Sequence, residues 1–95
     1  MAAYLVLDGS VTDPEEFQTY RKQVGGIVAA YGGKYLAVGK PEKLEGTWSA
    51  DQIVIIEFPS SEKAKAWYNS AEYAPLKSIR LRSLRSAFMV LASGL

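Results

Sequence analysis

The sequence predicts a single α+β domain in which strands and helices follow one another in the order βαββαβ. Three observations predict it. Four short, apolar, β-prone runs occur at Ala3–Leu7, Lys34–Gly39, Ile53–Phe58 and Ala87–Ala92. Two stretches with apolar residues at three-and-four spacing separate them, and each is bracketed by helix-start and helix-stop residues. The chain of 95 residues makes one domain, 1–95, and burying roughly 60–65% of its unfolded surface supports one modest core.

In chain order, Ala3–Leu7 is the first strand, with Asp8-Gly9 as the turn that ends it. Asp13 is the expected helix N-cap, with Pro14 at the first helical position and Glu16 placed to close a capping box. Phe17, Tyr20, Val24, Ile27, Val28 and Tyr31 form the apolar face of that helix, and Gly32-Gly33 stops it. Gly25 and Gly26 inside it each cost about 1 kcal/mol relative to Ala. They fit either a helix held by tertiary packing or a close approach by another backbone or a ligand. Lys34–Gly39 is the second strand, and Glu42–Trp48 is a candidate hairpin arm continuing it past Pro41. Pro59 ends the third strand, and Ser60 or Ser61 caps a helix with Ala64, Trp67 and Tyr68 on one face. That helix breaks between Ser70 and Pro75, and a further short helix holds Leu76 and Ile79 before the last strand.

Two βαβ crossovers, each right-handed, place these strands in a ferredoxin-like, four-stranded antiparallel sheet with the helices on one face. Ile53–Phe58 and Ala87–Ala92 are apolar on both sides, whereas a sheet with one wet face alternates apolar and polar residues. The helices cover one side, so a second copy of the chain is the expected cover for the other.

Composition narrows the chemistry. The chain has no cysteine and no histidine, which excludes thiolate nucleophiles, disulfides, Ser-His-Asp triads and most zinc or haem sites. No cofactor and no metal is expected. The formal net charge is +1, and the basic series Lys77, Arg80, Arg82 and Arg85 comes with no groove-reading motif, so nucleic acid is not an expected partner. No apolar stretch approaches a membrane span, and the N-terminus lacks a basic leader, so the expected location is cytoplasmic.

A family resemblance accompanies this reading. Val11-Thr12-Asp13-Pro14-Glu15 with Tyr20, Tyr31-Gly32-Gly33, Leu44-Glu45-Gly46 and Trp48 open an ordered series. Ile53–Ser60, Ala66-Trp67-Tyr68-Asn69-Ser70, Glu72-Tyr73 and Arg80 complete it. The series resembles a small bacterial family known as domain of unknown function 1330, within the dimeric α/β-barrel superfamily. The resemblance implies two ferredoxin-like protomers packed sheet to sheet. It brings no assigned activity, although the wider superfamily includes cofactor-independent monooxygenases, isomerases and haem enzymes. The chain departs from the family run at Gly25-Gly26, where larger apolar residues are commoner, and at Ala74-Pro75.

Glu57 closes an apolar strand and, if it points inward with Ile53 and Ile55, is a candidate proton shuttle; an edge ion pair is the alternative. Arg80, on one helical stripe with Lys77 and Tyr73, is a candidate anion or oxyanion partner, or simply the partner of Glu57. Tyr20, Tyr35, Trp48, Trp67 and Tyr68, with Glu57 and Arg80, are the candidate lining of a ligand pocket, against a role in core and dimer packing. Asp8 and Asp51 read as turn residues. The expectation is a homodimer binding a small, partly apolar, anionic ligand. A cofactor-independent monooxygenase- or isomerase-like enzyme and a structural interaction module are the alternatives, and the sequence leaves open whether the protein is an enzyme.

Overall fold

In the computed structural model, which describes residues 1–95, the chain runs β1 (Ala3–Val11), α1 (Pro14–Ala30), β2 (Lys34–Gly39) and β3 (Gln52–Phe58). It continues as α2 (Ser61–Tyr68), α3 (Ala74–Ser83), β4 (Leu84–Arg85) and β5 (Met89–Ser93). Strand β1 is central, pairing antiparallel with β3 on one side and with β5 and then β4 on the other. Strand β2 pairs antiparallel with β3 and forms the far edge. This is the ferredoxin-like arrangement, and the sheet is open. One sheet layer and one helix layer make a slab of 32 × 31 × 16 Å.

Alternation divides the strands between two environments. Leu5 and Leu7 of β1 face Ile56 and Val54 of β3 in register. These residues enter the core with Phe17, Tyr20, Val24 and Val28 of α1, Ala64 and Trp67 of α2, and Leu76 of α3. Tyr4, Val6, Ile53, Ile55, Glu57 and Val90 therefore lie on the other face, which no helix covers. Val90 is 51% exposed there.

Local signals set the helix ends. Asp13 Oδ1 accepts from the Glu16 amide at 3.2 Å, as the cap predicts. The Glu16 carboxylate does not close a capping box; it accepts from Arg82 at 3.1 Å and ties α1 to α3. Gly32 takes a φ of 81°, the left-handed value that ends α1. Ser60 Oγ caps α2 through the Lys63 amide at 3.1 Å. Ser70 makes the break between α2 and α3, its hydroxyl donating to the Trp67 carbonyl at 2.8 Å and accepting from the Tyr73 amide at 3.1 Å.

Three further expectations are corrected. Glu42–Trp48 forms no hairpin arm: residues 40–51 contain no regular strand. Nor do Asp8 and Gly9 end the first strand, since both pair with β3, opposite Ile53 and Gln52. The last strand is two pieces, because its register against β1 changes between Ser10↔Arg85 and Leu7↔Met89.

One side chain accounts for all three. Asp8, 2% exposed, accepts at Oδ1 from the Ser86 hydroxyl at 2.9 Å and from the amides of Ala87 and Phe88 at 2.8 and 3.0 Å. It thus replaces the ladder bonds missing at the register change. Its Oδ2 accepts from Trp48 Nε1 at 2.7 Å, which draws segment 40–51 across the end of β3 instead of along β2. Trp48 also packs on Phe88, with ring centroids 6.1 Å apart. Burial pushes the Asp8 pKa up, but the bonds from Trp48, Phe88, Ser86 and Ala87 outweigh it and hold the pKa below its ordinary 3.8.

The stabilisation from ionised Asp8 is therefore complete above pH 3.8 and is lost as the pH falls through the lowered folded value. Urea titrations of Asp8→Ala at pH 7 should show a loss of about 3 kcal/mol, since a charged acceptor with several donors is removed. Asp8→Asn should flatten the acid limb of the stability–pH profile. An unchanged acid limb would show that Asp8 does not carry this linkage.

Candidate functional site

The helix layer does not sit flat on the sheet. Between α1 and strands β1, β2 and β3 lies a cavity of about 600 Å³, within the usual range for small-molecule sites. Leu5, Leu7, Phe17, Val54, Ile56 and Met89 form its apolar wall, and the Tyr20 and Trp67 side chains complete the inner end. Arg21, Gly25, Val38, Gly39, Lys40, Asp51 and Gln52 form the mouth. Asp51 is held there by its amide, which donates to the Gly9 carbonyl at 3.1 Å and to Ser10 Oγ at 3.2 Å.

Behind the inner end lies a polar line on the core side. Arg80 is 4% exposed and its Nε–H donates to Tyr73 Oη at 3.1 Å. No carboxylate lies within ion-pair distance of it: the two ion pairs of the protein are Lys34–Glu57 and Arg82–Glu16. Burying an unpaired guanidinium is costly, and its place in the last turn of α3 offsets part of that cost through the helix dipole. Tyr73 Oη in turn lies 2.9 Å from Tyr20 Oη.

Between them the two hydroxyls have one hydrogen more than the protein has acceptors for them. The Tyr73 hydroxyl is fully buried, and its hydrogen has no acceptor other than Tyr20 Oη. One of the two hydroxyl hydrogens is thus left without an acceptor in the protein; because Tyr73 is fully buried and Tyr20 borders the cavity, we assign the donation to Tyr73 and the free hydrogen to Tyr20. Because Tyr20 lines the cavity, the cavity is where an acceptor has to come from. Trp67 is a second such case: its ring is 1% exposed, and its indole N–H has no partner. Burial, then the neighbouring Tyr73, push the Tyr20 pKa far above the ordinary phenol value, with Arg80 opposing weakly. Burial and Tyr73 also raise the pKa of Tyr35 on the cavity wall. These phenols act as neutral donors across the physiological range.

The candidates from sequence separate into three groups. Tyr20, Tyr35 and Trp67 line the cavity. Arg80 stands behind it, reaching Tyr20 through Tyr73. Glu57, Trp48 and Tyr68 lie elsewhere. Glu57 is on the uncovered sheet face, accepting from Tyr4 Oη at 3.2 Å and 3.8 Å from Lys34 Nζ, so no Glu57–Arg80 pair forms. That bond and the Glu57 charge raise the Tyr4 pKa. The sequence placed Glu57 with Ile53 and Ile55 correctly, but their shared face is the one turned away from the helices. Trp48 is the partner of Asp8, and the Tyr68 ring packs under Lys77 Nζ at 3.8 Å. Tyr68 also borders a smaller apolar cavity of about 210 Å³ against β5.

Sequence reasoning placed Tyr73 on the Arg80 stripe and weighed Gly25 as a point of ligand approach, but assigned neither Arg21 nor Lys40 to the site. The seven-residue spacing of Tyr73 and Arg80 carries the signal for the first, since it puts both on one helix face. Residues 40 and 21 meet only through tertiary structure. No group of three or more acidic, His or Cys side chains clusters where a metal could be held, and no helix is long and apolar enough to cross a membrane.

Fold and cavity together define an open-sheet, ferredoxin-like α+β protein with a pocket between its sheet and its helices. Residues 2–95 match the family described as Domain of unknown function (DUF1330), and the chain belongs to that family. No curated protein matches its sequence. Among solved structures, it resembles a protein of unknown function from Rhodopseudomonas palustris, 18% identical with a TM-score of 0.77 over 99% of this chain and 82% of that one. A dimeric ferredoxin-like protein of unknown function from Jannaschia sp. CCS1 is 10% identical, with a TM-score of 0.77 over 99% of this chain and 100% of that one. The cofactor-independent oxygenase SnoaB from Streptomyces nogalater is 12% identical, with a TM-score of 0.71 over 99% of this chain and 93% of that one. At these identities the likeness is one of fold.

Removing the Tyr73 hydroxyl strips the Arg80 Nε–H of its acceptor, and removing the Tyr20 hydroxyl strips the buried Tyr73 hydrogen of its own. Tyr73→Phe and Tyr20→Phe should therefore each cost about 1–3 kcal/mol in urea unfolding. A near-neutral Tyr20→Phe beside a costly Tyr73→Phe would contradict the donor direction assigned to the line.

Proposed function

We propose that the protein is a homodimer, packed through its uncovered sheet faces, whose protomers each bind a small, partly apolar, anionic molecule carrying a hydrogen-bond acceptor. The observation that carries the ligand reading is the Tyr20–Tyr73 hydroxyl pair, one hydrogen in excess of its protein acceptors, at the inner end of an apolar cavity and backed by the unpaired Arg80. A buried donor without an acceptor costs free energy, and an occupant that accepts from it recovers that cost. An apolar wall rewards a flat hydrocarbon body, while Arg80 and the cations at the mouth favour negative charge.

The dimer reading is supported by Tyr4, Val6, Ile53, Ile55 and Val90, an apolar surface too continuous for a monomer to leave in water. It is also supported by the likeness to ferredoxin-like proteins described as dimeric. Two open sheets packed face to face would close the barrel that one copy leaves open.

A second reading, favoured by the same Arg80–Tyr73–Tyr20 line, is a cofactor-independent enzyme acting on an enolisable or activated aromatic substrate. The activity stated for SnoaB belongs to this class. Tyr20 would hold the oxyanion formed on deprotonation. The carboxylate on the cavity wall is Asp51, at the mouth, so the base is less well placed than the donor. That imbalance is why binding leads.

Calorimetry with 6-hydroxy-2-naphthoate, a flat aryl carboxylate with a hydroxyl acceptor, tests the ligand reading. Binding to the wild type should weaken about tenfold in Tyr20→Phe, the scale of one lost hydrogen bond. No binding to the wild type, or equal binding to both, would count against it. Ile55→Asp should give a folded monomer by light scattering with unchanged far-ultraviolet circular dichroism; a persistent dimer would show that the sheet face is not the interface.

A further inference from the structure

Gly25 lies in the middle of α1, where glycine costs about 1 kcal/mol relative to Ala. A tight contact is the ordinary reason for such a residue, and none is present: a Cβ built at Gly25 meets nothing within 4 Å. Its φ is not positive, so no backbone conformation requires glycine either. The same holds for Gly26, but the two differ in what they face. Gly25 lines the cavity mouth and Gly26 does not. The space left by the missing side chain at Gly25 thus belongs to the cavity.

The charges around that gap are unevenly paired. Arg21, one turn before Gly25, sits over the Phe17 ring at 5.3 Å and has no carboxylate partner. Lys40, across the mouth at the end of β2, has none either. Asp51 is the single carboxylate on the rim. Two unpaired cations against one acid give the mouth a net positive charge, while the interior is apolar apart from the Tyr20 hydroxyl, the Trp67 indole N–H and the wall phenol of Tyr35.

Resting on the ligand reading above, we propose that Gly25 is a specificity residue that opens a slot between α1 and β2 for a flat apolar molecule. The occupant enters with its acceptor oxygen toward Tyr20 and leaves its carboxylate at the mouth, between Arg21 and Lys40. The ligand class is an aryl or similarly flat carboxylate bearing a hydroxyl or carbonyl at its far end. A side chain at residue 25 occupies the slot and shuts that class out. The glycine therefore lowers helix propensity while keeping the entrance open.

Calorimetry on the full chain with two probes, 6-hydroxy-2-naphthoate and 2-naphthol, tests this. The wild type should bind the naphthoate five- to tenfold more tightly than the naphthol, with the preference shrinking as salt is raised. Arg21→Gln and Lys40→Gln should each weaken the naphthoate more than the naphthol and so remove part of that preference, and Asp51→Asn should increase it. Gly25→Leu should weaken both probes at least fiftyfold, whereas Gly26→Leu should leave them within twofold. Because leucine raises helix propensity at both positions, neither variant should lower the melting temperature, so lost binding in Gly25→Leu reports a blocked slot.

Equal binding of the two probes to the wild type would overturn the carboxylate placement while leaving the cavity reading in force. Undiminished binding in Gly25→Leu would overturn the slot. Failure of both probes to bind the wild type would instead bring down the ligand reading on which the inference rests.

Discussion

The buried carboxylate of Asp8 is the interaction on which most of the remaining structure depends. A carboxylate that is 2% exposed is unfavourable without donors, and this one collects them from three separate places: Trp48, the Ser86 side chain and the amides of Ala87 and Phe88. Each bond settles something the backbone alone leaves open. The amides let the last strand change register beside β1 without orphaned groups. The indole turns residues 40–51 into a strap across the sheet end. Lys40 and Asp51, at the two ends of that strap, are also mouth residues of the cavity. The anchor that completes the sheet therefore helps shape the entrance.

A second constraint is thickness. A slab 16 Å deep has one helix layer, so the period of two along each strand assigns its side chains either to the core or to an uncovered surface. Leu5, Leu7, Val54 and Ile56 go to the core side and form cavity wall. Val6, Ile53 and Ile55 go to the side that no helix covers. Glu57 follows the latter set, which separates it from Arg80 by the thickness of the sheet. On the helix side, Ser70 turns the chain so that Trp67 and Tyr73 pack with centroids 4.2 Å apart and rings tilted by 34°, which brings the Tyr73 hydroxyl between Arg80 and Tyr20. Packing of the aromatic core and the polarity of the cavity end are thus set by the same turn.

The fold was legible because its signals are local: the Asp13 and Ser60 caps, the Gly32 stop, the Ser70–Pro75 break and the two-sided apolar strands. The Asp8 network was not. Asp-Gly is ordinarily a turn signal, and only donors 40 and 78 to 80 residues away make Asp8 a strand residue. Part of the site was legible as a list of aromatics, since Tyr20, Tyr35 and Trp67 do line the cavity. Which face Glu57 occupies was not legible, because alternation groups residues onto a face without saying which face the helices cover. Gly25 shows a further limit: the sequence marks the glycine, and only the folded chain reveals the empty space beside it.

The central claim is that the Tyr20 hydroxyl offers its hydrogen to an occupant of the cavity. The most direct measurement is a high-resolution crystal structure of protein purified without added ligand, inspected beside Tyr20 Oη. The account predicts a bound molecule or ordered water accepting from Tyr20 at about 2.7 Å, in a cavity kept open beside Gly25. A cavity collapsed onto its own side chains, with Tyr20 donating to a protein carbonyl or carboxylate, would contradict it.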